Sequence, residues 1–442
     1  MDKQTSFSEL ALQGVGRMRE KNNDLRGRVA ALLLLLRGTY FTGAGKYRAF
    51  AEEDLRAIWR GGVHDHIGGG FFCAAPDREW LRPVFEKRLD GNAVLAFLYA
   101  EAWESGRMGF YRDAAEEALD FCLRELPAPS GLFCAGVCLS PEAPENPFLF
   151  TPAQIADVLG AEAGRPFAEC YDVTDEPNCG EGSIPNLILN ERWNLLPAGY
   201  DDLRERLRLW RAERGGVETD PRAPLFANAL LLAALAKAGR VFADRRYLAA
   251  AEELSAALAE REGTQTERAA LLFALTELYA ADYDPAHLAA ALRCAGAAEA
   301  LVVAPAPSPE GDLALSLAAL GYDALLRLTG EESWRARRGA VLRELCLRPE
   351  RHGPESLGGV CALLASSHTQ RRVLCVTPEE LRPSALCALT GRYAPDLTIL
   401  VKTPANAAAL AEVCPWTAAF PIGEKTLLYP FADGQMGSVT GI

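Results

Sequence analysis

The chain has 442 residues, 49% of them hydrophobic and 24% charged, with 46 Lys and Arg against 59 Asp and Glu for a net charge of −13. That composition excludes disorder, collagen and coiled coil, and an acidic surplus spread along the chain argues against nucleic acid or an anionic membrane as the main partner. Uncharged apolar stretches such as 226–236 fall short of the roughly 18 residues of a spanning helix, and the polar start Met1-Asp2-Lys3-Gln4 has no signal-peptide pattern, so a cytoplasmic location is expected.

Twelve cysteines are dispersed without any Cys-x-x-Cys pair, Cys134 and Cys138 coming closest. They read as small buried hydrophobes kept reduced. The first unusual segment is Gly61-Gly62-Val63-His64-Asp65-His66-Ile67-Gly68-Gly69-Gly70-Phe71, with two histidines, one carboxylate and five glycines in eleven residues. Asp77-Arg78-Glu79-Trp80-Leu81 and Phe85-Glu86-Lys87 follow, opening the helix that contains Asn92. Glycines permit sharp turns and close approach, while His, Asp and Glu exchange protons near neutral pH, so this loop is expected to line the mouth of a central cavity.

From Asn92 to Cys122 an apolar helix, a Gly-containing break and a second helix form a hairpin. The same order returns at Asn228–Leu258, at Glu267 through Leu292, and at Leu313 through Leu345. Asp244, Asp284 and Glu331 each stand three positions before Tyr247, His287 or Trp334, the pattern of an N-cap followed by an inward anchor. Intervals of 40 and 47 residues between those anchors fit one helix pair per repeat. Irregular Gly- and Pro-rich stretches at 61–83, 127–152, 172–190 and 303–311 favour a closed ring with a loop-built face over an open solenoid. The expected fold is all-α, an (α/α)6 toroid of about six hairpins over 1–370 with 1–40 as a helical lead-in. Residues 371–442 form a small α/β element, with strands at Arg372–Val376 and Leu397–Val401 around a helix at Pro378–Thr390. It has no Gly-rich nucleotide fingerprint and is expected to cap the helical body.

The order Gly-Gly-x-x-Asp-His-x-Gly-Gly-Gly-Phe, then Asp-Arg-Glu-Trp-Leu, Phe-Glu-Lys and Asn92, resembles the helical-barrel part of the spermatogenesis-associated, thioredoxin-domain-containing proteins. Their barrel belongs to the six-hairpin group that includes N-acylglucosamine 2-epimerase. Phe150-Thr151-Pro152-Ala153-Gln154-Ile155, Tyr171-Asp172-Val173-Thr174, Ile184-Pro185-Asn186 and the run from Asn228 to Ala236 continue the resemblance, which covers roughly residues 30–430. The family begins with a thioredoxin-like domain, which is expected to be absent here, so redox chemistry does not carry over. Other departures remove polar groups: Phe72-Cys73-Ala74 stands for His-Arg-Tyr, Val84 for His, Asp90-Gly91 for Tyr-Asp, Phe226-Ala227 for Ser-Trp and Arg268-Ala269 for Asp-Tyr, and an Asp-Ala-Asp segment before Phe150 is missing.

Candidate catalytic residues are His66, Asp77, Glu79 and Glu86; candidate substrate-binding residues are His64, Asp65, Arg78, Trp80, Lys87, Asn92, Asn228 and Glu267. Asp65 and His66 read either as an acid/base pair or as a turn cap beside a hydrogen-bonded loop histidine. Glu79 and Glu86, seven apart, either share a helix face as paired carboxylates or join Arg78 and Lys87 in a salt-bridge network. Trp80 is a sugar-stacking platform or core, and Asn92, Asn228 and Glu267 are caps or cavity residues. His64 and His66 lack a recognisable third metal ligand, and neither a metal nor a cofactor is expected. Two functions follow: a pseudoenzyme or binding scaffold holding a sugar-like molecule or a separate thioredoxin-like protein, and a sugar epimerase, isomerase or glycoside-processing enzyme. His287, His352 and His368 offer no evident second histidine for epimerase chemistry, which favours the scaffold.

Overall fold

The computed structural model describes residues 24–298, 308–347, 352–379, 386 and 389–441. Six helices, α1 (Leu25–Thr42), α3 (Leu89–Gly106), α8 (Leu225–Phe242), α10 (Gln265–Asp282), α12 (Pro309–Thr329) and α14 (Leu357–Ser366), pack in that order, and α14 closes back on α1. Each is apolar on nearly all faces, as a helix surrounded by protein must be. In α3, for example, Leu89, Ala93, Leu95, Ala96, Leu98, Tyr99, Ala100 and Ala102 are all fully buried. Glycines in the left-handed conformation end α1 at Gly43 and α12 at Gly330.

An outer helix follows each of the first five: α2 (Gly45–Arg60), α4 (Gly109–Glu125), α9 (Arg245–Ala259), α11 (Pro285–Ala298) and α13 (Glu332–Leu347). The expected ring is therefore present, with five complete hairpins among the described residues. After α14 the chain turns instead into strand β4 (Arg371–Val376). The caps follow the sequence pattern in part. Asp244 accepts from the Arg246 N–H and Tyr247 is fully buried; Asp284 likewise accepts from the Ala286 N–H at 2.9 Å, but His287 turns back to Asp282 at 2.8 Å, and Glu331 contributes its backbone carbonyl to the Trp334 N–H.

The uncharged run 226–236 ends as expected at Lys237, but helix α8 as a whole, 18 residues with mean hydropathy 1.5, is long and apolar enough to cross a membrane. It is 83% buried as a member of the inner ring, the setting in which a soluble core helix acquires that composition.

Between α4 and α8 the chain makes an insertion: strand β2 (Gly136–Leu139), helices α5 (Pro152–Leu159), α6 (Ala161–Cys170) and α7 (Tyr200–Arg214), and strand β3 (Val217–Asp220). Strands β2 and β3 pair antiparallel and add β1 (Glu86–Arg88), the end of the glycine-rich segment. A second apolar core forms around Phe150, Ile155, Phe167, Tyr171 and Leu207, and Ile67 of the motif inserts into it.

In the C-terminal element β4 pairs parallel with β5 (Leu397–Lys402) and antiparallel with β6 (Leu427–Ala432). The helix expected over Pro378–Thr390 lies mostly outside the described residues, as do 1–23 of the lead-in and 303–307 of the last irregular stretch. The element caps the C-terminal end of the ring: Tyr40 donates to Asp396 at 2.5 Å, Tyr393 to Glu101 at 2.9 Å, and Arg327 to the Pro395 carbonyl at 3.1 Å.

Close packing of inner helices depends on Gly321 of α12, where an added Cβ would sit 2.6 Å from Leu272 Cγ of α10. Gly321→Ala is expected to cost about 1–3 kcal/mol through overpacking, read as a lowered urea midpoint at unchanged slope.

Candidate functional site

The glycine-rich loop lies between outer helix α4 and insertion helix α7, outside the inner ring. His64 is fully buried, stacked on Trp59 with ring centroids 4.2 Å apart. Its Nε2 lies 2.8 Å from Glu117 of α4 and its Nδ1 3.2 Å from the Trp59 carbonyl. Glu117 also holds Arg204 of α7 at 2.7 Å. Burial alone would raise the Glu117 carboxyl, but Arg204 and His64 bring it down to about 2.

Asp65 is the centre of a second cluster. Its carboxylate accepts from Lys87 at 2.6 Å, from both Arg211 terminal nitrogens at 2.9 Å, and from the Ile67 and Gly68 N–H groups. Despite burial, Arg211 and Lys87 hold Asp65 well below the usual carboxylate range. Burial draws the Lys87 ammonium down to about 8, and this group also lies 4.3 Å from the centre of the Phe121 ring. The glycines serve this packing. A Cβ on Gly68 would meet Arg211 Nη2 at 1.8 Å, and one on Gly70, whose φ is +75°, would meet the Phe121 ring at 2.7 Å.

The acid/base expectation for Asp65 and His66 is thereby corrected. Asp65 faces two cations, and the His66 ring nitrogen lies 3.2 Å from the Gly61 carbonyl. Burial, then the neighbouring His64 and Arg204, drives His66 well below its ordinary range, so it is a neutral imidazole. Glu79 and Glu86 share no helix face: Glu79 is exposed in a loop with Arg78, and Glu86 is a strand residue opposite Cys138. Asp77 caps the turn at the Leu81 and Arg82 N–H groups, 2.8 and 2.7 Å away. Trp80 is only 6% exposed, packed in the main core against Gly61, so it presents no stacking face.

Asn92 and Asn228 prove to be one repeated device. Asn92 accepts the Phe71 N–H at 2.7 Å and donates to the Phe71 carbonyl at 2.9 Å. Asn228 does the same to Phe133, at 2.8 and 3.0 Å. Each clamps the loop entering its inner helix by reproducing a peptide's own hydrogen bonds. Glu267 completes a capping box with Thr264.

The space on the ring axis lies elsewhere. It measures about 50 Å³ and is lined by apolar residues of all six inner helices, among them Leu33, Phe97, Leu230, Phe273 and Leu317, so the motif loop does not face it as expected. Above it, at the helix N-termini, stands a polar cluster that the sequence reading missed. Arg26 and Arg88 each reach Asp90 at 3.0 Å. His352 Nδ1 lies 2.7 Å from Asp312, and its Nε2 has no hydrogen-bond partner among the described residues. Burial, then Glu267 and Asp90, raises the Glu310 carboxyl; burial, then Asp24, raises that of Glu355. Asp90 and Glu310 occupy first turns of inner helices, where an acid reads as dipole compensation, which hid their convergence. Carboxylic acids held above their usual range and an oriented imidazole are the groups that donate and accept protons. Among the described residues no group of three or more His, Cys, Asp or Glu side chains is placed to hold a metal.

These features define a helical barrel of six inner helices with a polar N-terminal mouth. No protein-family profile matches the chain. Over 166 residues it is 39% identical to Spermatogenesis-associated protein 20 of Homo sapiens, a match covering 34% of this chain and 21% of that protein, and over 83 residues it is 37% identical to the Mus musculus counterpart. The match thus spans about a fifth of the length of the human protein. The fold is similar to that of D-mannose isomerase, with a TM-score of 0.50 and 9% identity over 82% of this chain and 98% of that one.

Lys87→Met, which leaves Asp65 paired with Arg211 and the Ile67 and Gly68 N–H groups, is expected to cost about 1–3 kcal/mol in urea unfolding. The second cluster gives a pH signature. Because the folded Glu117 carboxyl sits below its ordinary 4.5, its contribution is present above that pH and lost as pH falls toward 2. Glu117→Gln should therefore flatten the loss of stability across that window, measured as urea midpoints at several pH values.

Proposed function

We propose that the chain is a catalytically degenerate six-hairpin barrel, a binding scaffold related to sugar-active enzymes. The observation that carries this reading is the axial space: about 50 Å³ with an apolar lining, where small-molecule pockets measure ~300–1,000 Å³. Proton exchange beside a sugar carbonyl needs a base and an acid facing the substrate, and His64 and His66 are both buried against protein outside the ring. Each missing acid/base group is worth ~10²–10⁴-fold in rate, so the absence of two takes turnover toward background. The occupants that suit a scaffold are a sugar-like molecule at the mouth and a thioredoxin-like protein encoded separately. The ten described cysteines are all free, which supports a reducing compartment and is compatible with the cytoplasm as part of this proposal.

A second reading is favoured by one specific observation, the raised Glu310 and Glu355 carboxyls at the mouth together with His352, which is held by Asp312. On that reading the chain is a sugar isomerase, epimerase or glycoside-processing enzyme. The deciding experiment incubates the purified protein with aldoses, ketoses, N-acyl amino sugars and aryl glycosides while thermal shift reports binding. The scaffold reading expects binding without turnover, or silence toward every sugar if the occupant is a protein. Turnover that disappears in Glu355→Gln and His352→Ala would replace it with the enzyme.

A further inference from the structure

At the opposite end of the ring, beneath the C-terminal element, a cavity of about 150 Å³ lies between the ends of α3, α8, α10 and α12 and the segment 389–399. We propose that it is a binding site for a small organic anion, a carboxylate or a phosphate ester, which seats against Arg240 and helps hold the C-terminal element on the ring. This site is independent of the mouth and of any activity there.

Its lining carries five cations, Arg37, Lys237, Arg240, Arg327 and Arg392, against three carboxylates, Glu101, Glu104 and Glu277. The hydrogen-bond inventory says which groups remain for a ligand. Glu101, fully buried, takes Arg37 through two bonds of 2.7 and 3.0 Å, Tyr393 at 2.9 Å and Lys237 at 3.3 Å. Glu104 takes Lys237 at 3.0 Å on one oxygen and Arg240 at 3.2 Å on the other. The acceptors of both carboxylates are thus engaged by protein donors. Two donors are left over, Arg240 Nε, buried without a hydrogen-bond partner among the described residues, and Arg392, exposed at the rim, while the third carboxylate, Glu277, lies close enough to Arg240 to act on its charge. Buried N–H groups are rarely left unpaired, so a molecule bringing acceptors completes this wall.

The negative ends of the parallel inner helices oppose an anion by at most about half a charge each, within the last turn. That opposition is reduced here, because the Trp103, Tyr279 and Leu326 carbonyls already accept the N–H groups of Arg107, Tyr283 and Gly330. The surplus of cations in the lining therefore sets the sign. A volume of 150 Å³ is about five times the ~30 Å³ share of one water, which admits a compact ligand of a few carbons and not an oligosaccharide. The ligand would touch both bodies, since Arg240 belongs to the ring and Arg392 to the cap.

The test uses the full chain, with inorganic phosphate and D-glycerate as probes, each at up to about 10 mM against sodium chloride of matched ionic strength, which reaches past a weak ~1 mM site. The expected result is a saturable rise in unfolding temperature with one or both probes and none with the chloride control. Response to glycerate alone assigns a carboxylate, and to phosphate alone a phosphate ester. Removing one charge-assisted hydrogen bond weakens binding about tenfold or more, so Arg240→Gln should raise the apparent Kd by that factor. Arg392→Gln, at an exposed position that folding does not need, should weaken it severalfold and guards against a folding defect in the first variant. No saturable shift with either probe, or a shift unchanged in both variants, overturns the proposal.

Discussion

A helix covered by protein on every side can carry polar side chains only near its two ends, and this constraint organises the whole molecule. The six inner helices obey it. Their middles are Leu, Ala and Phe, their N-termini hold Arg26, Asp90 and Asp312, and their C-terminal turns hold Glu101, Glu104, Lys237 and Arg240. Polar chemistry is thereby concentrated at a mouth and a foot, separated by an apolar axis. The C-terminal element covers the foot, and the mouth is framed by the loops that enter the inner helices.

The loop that looked most like an active site meets a different need. An insertion of nearly a hundred residues between α4 and α8 has to be anchored to the ring, and Asp65, His64 and Glu117 do so through Arg211 and Arg204 of α7. Buried ion pairs of this kind add little net stability compared with apolar packing, but they are costly to leave half-formed. They therefore fix where α7 sits more than how firmly. The glycines let arginine and phenylalanine side chains approach the backbone closely, which from sequence alone looks the same as room made for a ligand.

Much of the fold was legible in the sequence because helical hairpins leave a periodic trace. The breaks near Gly106 and Gly330 and the N-cap at Asp244 read directly as helix ends, whereas the break expected at Ala238-Gly239-Arg240 lies inside α8, which runs on to Phe242, and the βαβ order after Arg371 carried the parallel pairing of β4 with β5. The sites were much less legible. Asp65 finds Arg211 across 146 positions, and Tyr393 finds Glu101 across 292, separations that no local pattern encodes. Asn92 and Asn228 were recognised as a recurring pair, but only coordinates show that both clamp a preceding loop. Asp90 read as a lost motif residue, although it stands with Arg26 and Arg88 at the mouth.

The sixth position of the ring has a consequence for how the chain reaches its fold. Helix α14 has no outer helix following it, and its inner-ring neighbour α1 lies more than three hundred residues earlier in the chain. Each of the other hairpins forms from neighbouring sequence, but this one contact closes the circle. Closing so long a loop is slow relative to local pairing. Until α14 emerges, the side of α1 that packs on it has no partner. Closure of the ring thus rests on one contact between the two ends of the helical part of the chain, whereas each complete hairpin is made from adjoining sequence.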